Sequence, residues 1–106
     1  NLASIGAHAV SPTAAVYCAT KYAVWAISEG LRQESPSIRV TTISPGVTTS
    51  ELAESISDTQ GREAMRSFRA TAIPAEAVAR AIAFAIAQPA EVDTSEIVIR
   101  PTASPH

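Results

Sequence analysis

Ile38-Arg39-Val40-Thr41-Thr42-Ile43-Ser44-Pro45-Gly46 lies between two helical patterns, and its reading decides the fold. The β-branched residues Ile38, Val40, Thr41, Thr42 and Ile43 predict a strand over Ile38–Ser44, ended by Pro45-Gly46. Upstream, a helix is predicted from about Ala14 to Glu34, with Thr13 as its cap and Pro36 as its stop. Lys21 is the only charged residue between Ala14 and Ser28, so this helix is apolar nearly all round and reads as buried. Downstream, Pro74 opens a second helix with Glu76 in its first turn, and Pro89 ends it. Val78, Ala81, Ile82, Ala85 and Ile86 form its apolar stripe. Ile97-Val98-Ile99 is a last short strand, closed by Pro101.

Two further stretches complete the outline. Asn1-Leu2-Ala3-Ser4 reads as the end of a strand, followed by a loop to Pro12. Val47 to Ile73 is irregular and polar, with a short helical stretch at about Thr59–Ala70 where Met65 and Phe68 share a face. Long irregular insertions after a strand often cover active sites, so 47–73 is expected to be a substrate-binding lid. The order is strand, helix, strand, insert, helix, strand, which predicts an α/β fold on a parallel sheet. Such sheets need both faces covered, and three short strands bury little. The chain does not begin with Met, and the expectation is a piece of a longer protein.

Composition narrows the function. Of the 106 residues, 46% are hydrophobic and 17% charged, a globular balance. The formal charge is -2 and the eight basic residues are scattered, which argues against a nucleic-acid partner. No apolar run approaches the roughly twenty residues that span a bilayer. Cys18 is the single cysteine, so no disulfide forms within the chain, and a reducing, cytoplasmic setting is expected.

Chemistry centres on Ser4, Tyr17 and Lys21. Tyr17 and Lys21 are four apart on one helix face. An unpaired lysine on an apolar helix is costly to bury and needs a reason. A cation beside a phenol favours the phenolate, which suits a group that must give and take a proton. Ser4, in the loop before the helix, can hold a substrate oxygen beside the Tyr17 hydroxyl. The result is a proton-transfer site with no metal and no carboxylate.

Tyr17-Cys18-Ala19-Thr20-Lys21 resembles the Tyr-x-x-x-Lys motif of the short-chain dehydrogenases/reductases. Ser4 stands thirteen residues earlier, the spacing of that family's catalytic serine, and Ser44-Pro45-Gly46-Val47-Thr48-Thr49-Ser50 resembles its nicotinamide-receiving segment. The resemblance runs the whole chain. It implies the C-terminal, catalytic part of a Rossmann-like doubly wound parallel sheet, one partial domain over 1–106, with the N-terminal cofactor-binding half absent. It implies Tyr17 as acid/base, Ser4 as the residue that orients the carbonyl, and Lys21 as a partner of both Tyr17 and the nicotinamide ribose. Pro45, Gly46, Thr48 and Ser50 are implied to hold the nicotinamide; Ser50 stands where the family usually has Thr. The cofactor implied is NAD or NADP. The tail Glu96–Thr102 looks like the subgroup of 3-hydroxy acid and serine dehydrogenases, which favours NADP. The implied substrate is a small alcohol or carbonyl compound, and the implied assembly a homodimer or homotetramer through the first helix.

Two family features have no match. The only glycines are Gly6, Gly30, Gly46 and Gly61, so the glycine-rich turn that binds a pyrophosphate is missing. Asn1 does not match the family's catalytic asparagine. This chain alone is therefore expected neither to bind dinucleotide well nor to turn over. The rival reading is a non-catalytic half-domain that serves assembly. A serine hydrolase is excluded for want of a nucleophile elbow and a histidine partner. Tyr22 and Trp25 read as packing residues, Cys18 as a small buried hydrophobe, and Met65 and Phe68 as helix packing. His8 reads as a solvated loop residue rather than a substrate contact, and His106 as a loose end.

Overall fold

The computed structural model describes residues 1–49 and 71–106 of the chain. Ser50, the Thr59–Ala70 stretch, Met65 and Phe68 lie outside the described residues. Among the described residues, a 3-10 turn (Ile5–Ala7) precedes helix α1 (Ala15–Glu34), strand β1 (Thr42–Pro45), helix α2 (Ala75–Ile86) and strand β2 (Glu96–Ile99). β1 and β2 pair in parallel, Thr42 opposite Glu96 and Pro45 opposite Ile99. On the other edge of β1, Leu2 forms a parallel bridge with Ile43. There the Ala3 N–H donates to the Ile43 carbonyl at 2.7 Å, and the Ile43 N–H to the Asn1 carbonyl at 2.9 Å. Among the described residues the sheet thus has two strands, and the expected third, Asn1–Ser4, joins it only through a single parallel bridge.

Side-chain alternation along β1 places the two helices. Ile43 shares a cavity lining with Leu2 and with Ile82, Ala85 and Ile86 of α2. Ser44, its neighbour, points the other way and donates to Glu96. Glu96 in turn meets His8, whose ring lies edge-on to Trp25 of α1. Successive strand side chains point to opposite faces, so α1 and α2 cover opposite faces of the sheet. This is the doubly wound arrangement.

The boundaries differ from the sequence reading in three places. β1 begins at Thr42, not Ile38. The Ile38 N–H closes a turn on Ser35, and the Val40 N–H donates to the Asp93 carboxylate, so these donors are satisfied off the ladder. Thr13 does not cap α1. It sits at φ 65 in a turn closed by Ala14 N–H to Ser11 O, and Ala14 takes the cap position with no side-chain bond. A capping side chain needs an extended backbone, which the left-handed Thr13 lacks. Pro74 is extended and precedes α2 rather than forming its first residue.

α1 also differs from the buried helix that the sequence predicts. Only Cys18 and Ser28 are buried on it. Val16 is 80% and Ile27 67% exposed, because the narrow sheet and the 3-10 turn cover a single face. Among the described residues the buried apolar set is Ala3, Ala7, Cys18, Val40, Ile43, Val78 and Ala85. Polar ties supplement it. Asn1 Nδ2 donates to Ser28 Oγ at 2.8 Å, docking α1 on the first strand. Arg39 donates from Nη1 to the carbonyls of Ala85 (3.1 Å) and Gln88 (2.9 Å), and from Nη2 to that of Ile86 (3.3 Å). These carbonyls lie at or just past the C-terminal end of α2, that of Ala85 accepting also from the Gln88 N–H at 3.4 Å, and the cation suits the helix dipole.

Candidate active site

Register places the first two components. Leu2 lies opposite Ile43, so Ser4 and Pro45, each two residues further on, leave neighbouring strands at one level. Parallel strands stand about 4.8 Å apart. Both residues therefore sit at the carboxyl edge of the sheet, where α/β folds carry ligands.

Ser4 is 8% exposed and caps the 3-10 turn. Its Oγ accepts from the Gly6 N–H at 3.0 Å, and its carbonyl accepts from the Ala7 N–H at 2.9 Å. Tyr17 reaches toward the same turn from the first turn of α1. A Cβ placed on Gly6 would lie 3.3 Å from Tyr17 Cε1, 3.5 Å from Ser4 Oγ and 3.6 Å from Cys18 Sγ. Gly6 is therefore the point where serine and tyrosine converge, and its bare Cα admits the phenol ring. Tyr17 is 41% exposed, and its hydroxyl has no hydrogen-bond partner among the described residues. One turn along α1, Lys21 Nζ stands 5.7 Å from the Tyr17 ring centroid and makes a long 3.5 Å bond to the Leu2 carbonyl. That distance is within cation–π range. Ser4, Tyr17 and Lys21 are thus brought together as the sequence leads one to expect.

Pro45 and Gly46 end β1. The Gly46 N–H donates to the Ile99 carbonyl at 2.7 Å. A Cβ on Gly46 would meet Pro101 Cδ at 3.2 Å and Arg100 Cα at 3.4 Å, so glycine is required here by close packing and not by φ. Thr48 donates its hydroxyl to the Gly46 carbonyl at 3.1 Å, a turn-closing role. Thr48 also bridges Ile73, and the Ile73 N–H reaches the Val47 carbonyl at 3.1 Å, so the two ends of 47–73 pair beside the Pro-Gly turn.

Sequence reading missed the partners of His8. It is exposed, as a loop residue should be, but it is not unpaired. Its Nε2 lies 2.8 Å from Glu96 Oε2, and its ring centroid is 6.2 Å from that of Trp25. The Ser44 hydroxyl donates to the same Glu96 oxygen at 2.9 Å. Partners so far apart in the chain leave no periodic signal. Gly6 was legible only as a glycine two residues after the serine. Cys18 is buried at 2% exposure, as a small hydrophobe should be. Among the described residues no cluster of His, Cys, Asp and Glu could hold a metal, and no helix is long and apolar enough to cross a membrane.

Comparison with known proteins agrees with this arrangement. The family described as enoyl-(acyl carrier protein) reductase matches residues 1–99. An uncharacterized oxidoreductase of Staphylococcus saprophyticus is 47% identical over 106 residues, covering 96% of this chain and 43% of its own length. Human dehydrogenase/reductase SDR family member 11 is 37% identical over 109 residues, covering 96% and 42%. A solved small-chain dehydrogenase in complex with NADPH shares 25% identity at a TM-score of 0.74, over 94% of this chain and 48% of that one. Serine dehydrogenase from Escherichia coli superposes at a TM-score of 0.70 with 24% identity, over 92% and 37%, a likeness of fold. The chain belongs to the short-chain dehydrogenase/reductase family. It spans under half the length of these relatives, and corresponds to the C-terminal part of their Rossmann-like fold.

Proposed function

We propose that the complete protein is an NAD(P)-dependent oxidoreductase that interconverts a secondary alcohol, a 3-hydroxy acid in the first instance, and its carbonyl compound. The convergence of Ser4 Oγ and the Tyr17 ring at Gly6, with Lys21 one turn behind, carries this reading. The donor set fits a nicotinamide nucleoside. Lys21 offers an ammonium to ribose hydroxyls, while Pro45, Gly46 and Thr48 line the edge where the ring would lie, and the family motif adds Ser50 to that set. The NADPH-bound dehydrogenase of the same fold supports this cofactor class. When bound, the nicotinamide supplies or accepts the hydride.

The chain's own groups handle the proton. The half-exposed Tyr17 hydroxyl gives a proton to the carbonyl oxygen in reduction and removes it from the alcohol in oxidation. Ser4, fixed by the Gly6 and Ala7 amides, holds that oxygen in place. Lys21, its Nζ 5.7 Å from the Tyr17 ring centroid, stands behind the phenol as a partner of both the ring and the ribose. Segment 47–73 serves as the substrate cover, a role supported by the pairing of its ends beside Gly46. The exposed apolar side of α1 supports a homo-oligomer, dimer or tetramer, closed by that helix. The single buried Cys18 supports a reducing compartment such as the cytoplasm.

The test is Tyr17→Phe in the complete protein. Turnover of hydroxy acids with NAD or NADP should fall ~10²–10⁴-fold, while NAD(P)H binding persists. Near-normal turnover in this variant would overturn the mechanism.

A further inference from the structure

Ser4 and His8 are the two caps of one 3-10 turn, Ile5–Ala7. Three bonds define the turn itself: Gly6 N–H to Ser4 Oγ at 3.0 Å, Ala7 N–H to Ser4 O at 2.9 Å, and His8 N–H to Ile5 O at 3.0 Å. A 3-10 turn this short is weak alone, because its hydrogen bonds are poorly aligned. Outside contacts must fix its orientation, and with it the direction of Ser4 Oγ. Ala7, 1% exposed, supplies an apolar anchor with no directional preference. The directional tie is the His8 side chain. It spans 88 residues to Glu96, the first residue of β2. The Glu96 carboxylate is itself fixed by the Ser44 hydroxyl, on a residue with 0% exposure. Trp25 of α1 stands edge-on to the imidazole.

We infer that His8, braced by Glu96 and Trp25, is a positioning residue that sets the orientation of Ser4 toward the substrate oxygen. The inference rests on the reading of Ser4 as the group that holds that oxygen. The brace links the serine-bearing turn to the strand whose far end also receives Gly46, since the Gly46 N–H donates to Ile99. β2 therefore fixes both the serine and the Pro-Gly turn. His8 and Glu96 side chains are 38% and 26% exposed, so solvent screens their attraction and little fold stability depends on it. What the pair contributes is geometry.

A double-mutant cycle in the complete protein tests this. His8→Ala should lower kcat by roughly tenfold to a hundredfold, the scale of a displaced reacting group, with the KM for NAD(P)H unchanged. In a Ser4→Ala background the same substitution should cost nothing further, because groups acting as one unit are not additive. His8→Gln can still donate to Glu96 and should recover turnover relative to His8→Ala. Without cofactor or substrate, His8→Ala should speed hydrogen exchange at the Gly6 and Ala7 amides at least about tenfold while α2 amides stay unchanged. Additive losses, no recovery with glutamine, or unaltered exchange at Gly6 and Ala7 would each overturn the assignment of His8. Full turnover in Ser4→Ala alone would instead remove the role given to Ser4, and the inference with it.

Discussion

Gly46 packs against Pro101 so closely that a Cβ on its backbone would stand 3.2 Å from the proline Cδ. The ring is rigid and the next contact, Arg100 Cα at 3.4 Å, is backbone, so neither neighbour moves aside readily. Gly46→Val should destabilise the protein by ~1–3 kcal/mol, the usual cost of overpacking a filled site. Thermal or urea unfolding checks this. Stability equal to the parent's would show that the β2 end yields.

Lys21 Nζ stands 5.7 Å from the Tyr17 ring centroid and makes one long bond to a main-chain carbonyl. A lysine so lightly held is available to a ligand. Lys21→Met keeps the apolar stem and removes the charge. It should weaken NAD(P)H binding by about tenfold or more, the loss of one hydrogen bond to a charged group. Calorimetric titration of the complete protein is the measurement, and unchanged affinity would remove Lys21 from the ribose site.

Thr42 is 1% exposed, and its Oγ1 has no partner among the described residues. Leaving a buried hydroxyl unsatisfied costs ~1–3 kcal/mol. Thr42→Val has the same shape and drops that cost, so it should raise stability by roughly 1 kcal/mol. A loss of stability would mean that the hydroxyl is paired in solution.

α1 leaves Val16, Tyr22, Ile27 and Leu31 exposed, with Ala19, Ala23 and Ala26 between them. Apolar area left in water forfeits about 25 cal/mol per Å². A second copy of the same helix across a two-fold axis is the simplest cover. Ala19→Glu or Ala23→Glu should then dissociate the complete protein, as read by sedimentation. A parent protein that sediments as a monomer at micromolar concentration would end this assignment.

Local chemistry made most of this readable. The helices at Ala15–Glu34 and Ala75–Ile86 and the strand at Glu96–Ile99 follow from periodicity and proline stops, which act over a few residues. Tyr17 and Lys21 share a face because helical geometry puts them there, and Ser4 stands level with Pro45 because Leu2 pairs with Ile43. The parts that escaped depend on distant partners. β1 starts late because Val40 finds Asp93, and Thr13 adopts a left-handed turn that no cap preference foretells. The same holds for His8. Its residue type and its loop say nothing of Glu96 at the far end of the chain.

The edge-on contact between His8 and Trp25 has an optical consequence. Trp25 is the only tryptophan in the sequence. Its indole stands edge-on to the His8 ring, 6.2 Å between centroids, so the surroundings of the indole change whenever that contact does. The fluorescence of this chain is therefore a built-in gauge of one ring pair, readable in apoprotein and free of any added label. Loosening the turn that carries Ser4 would show as altered light from Trp25.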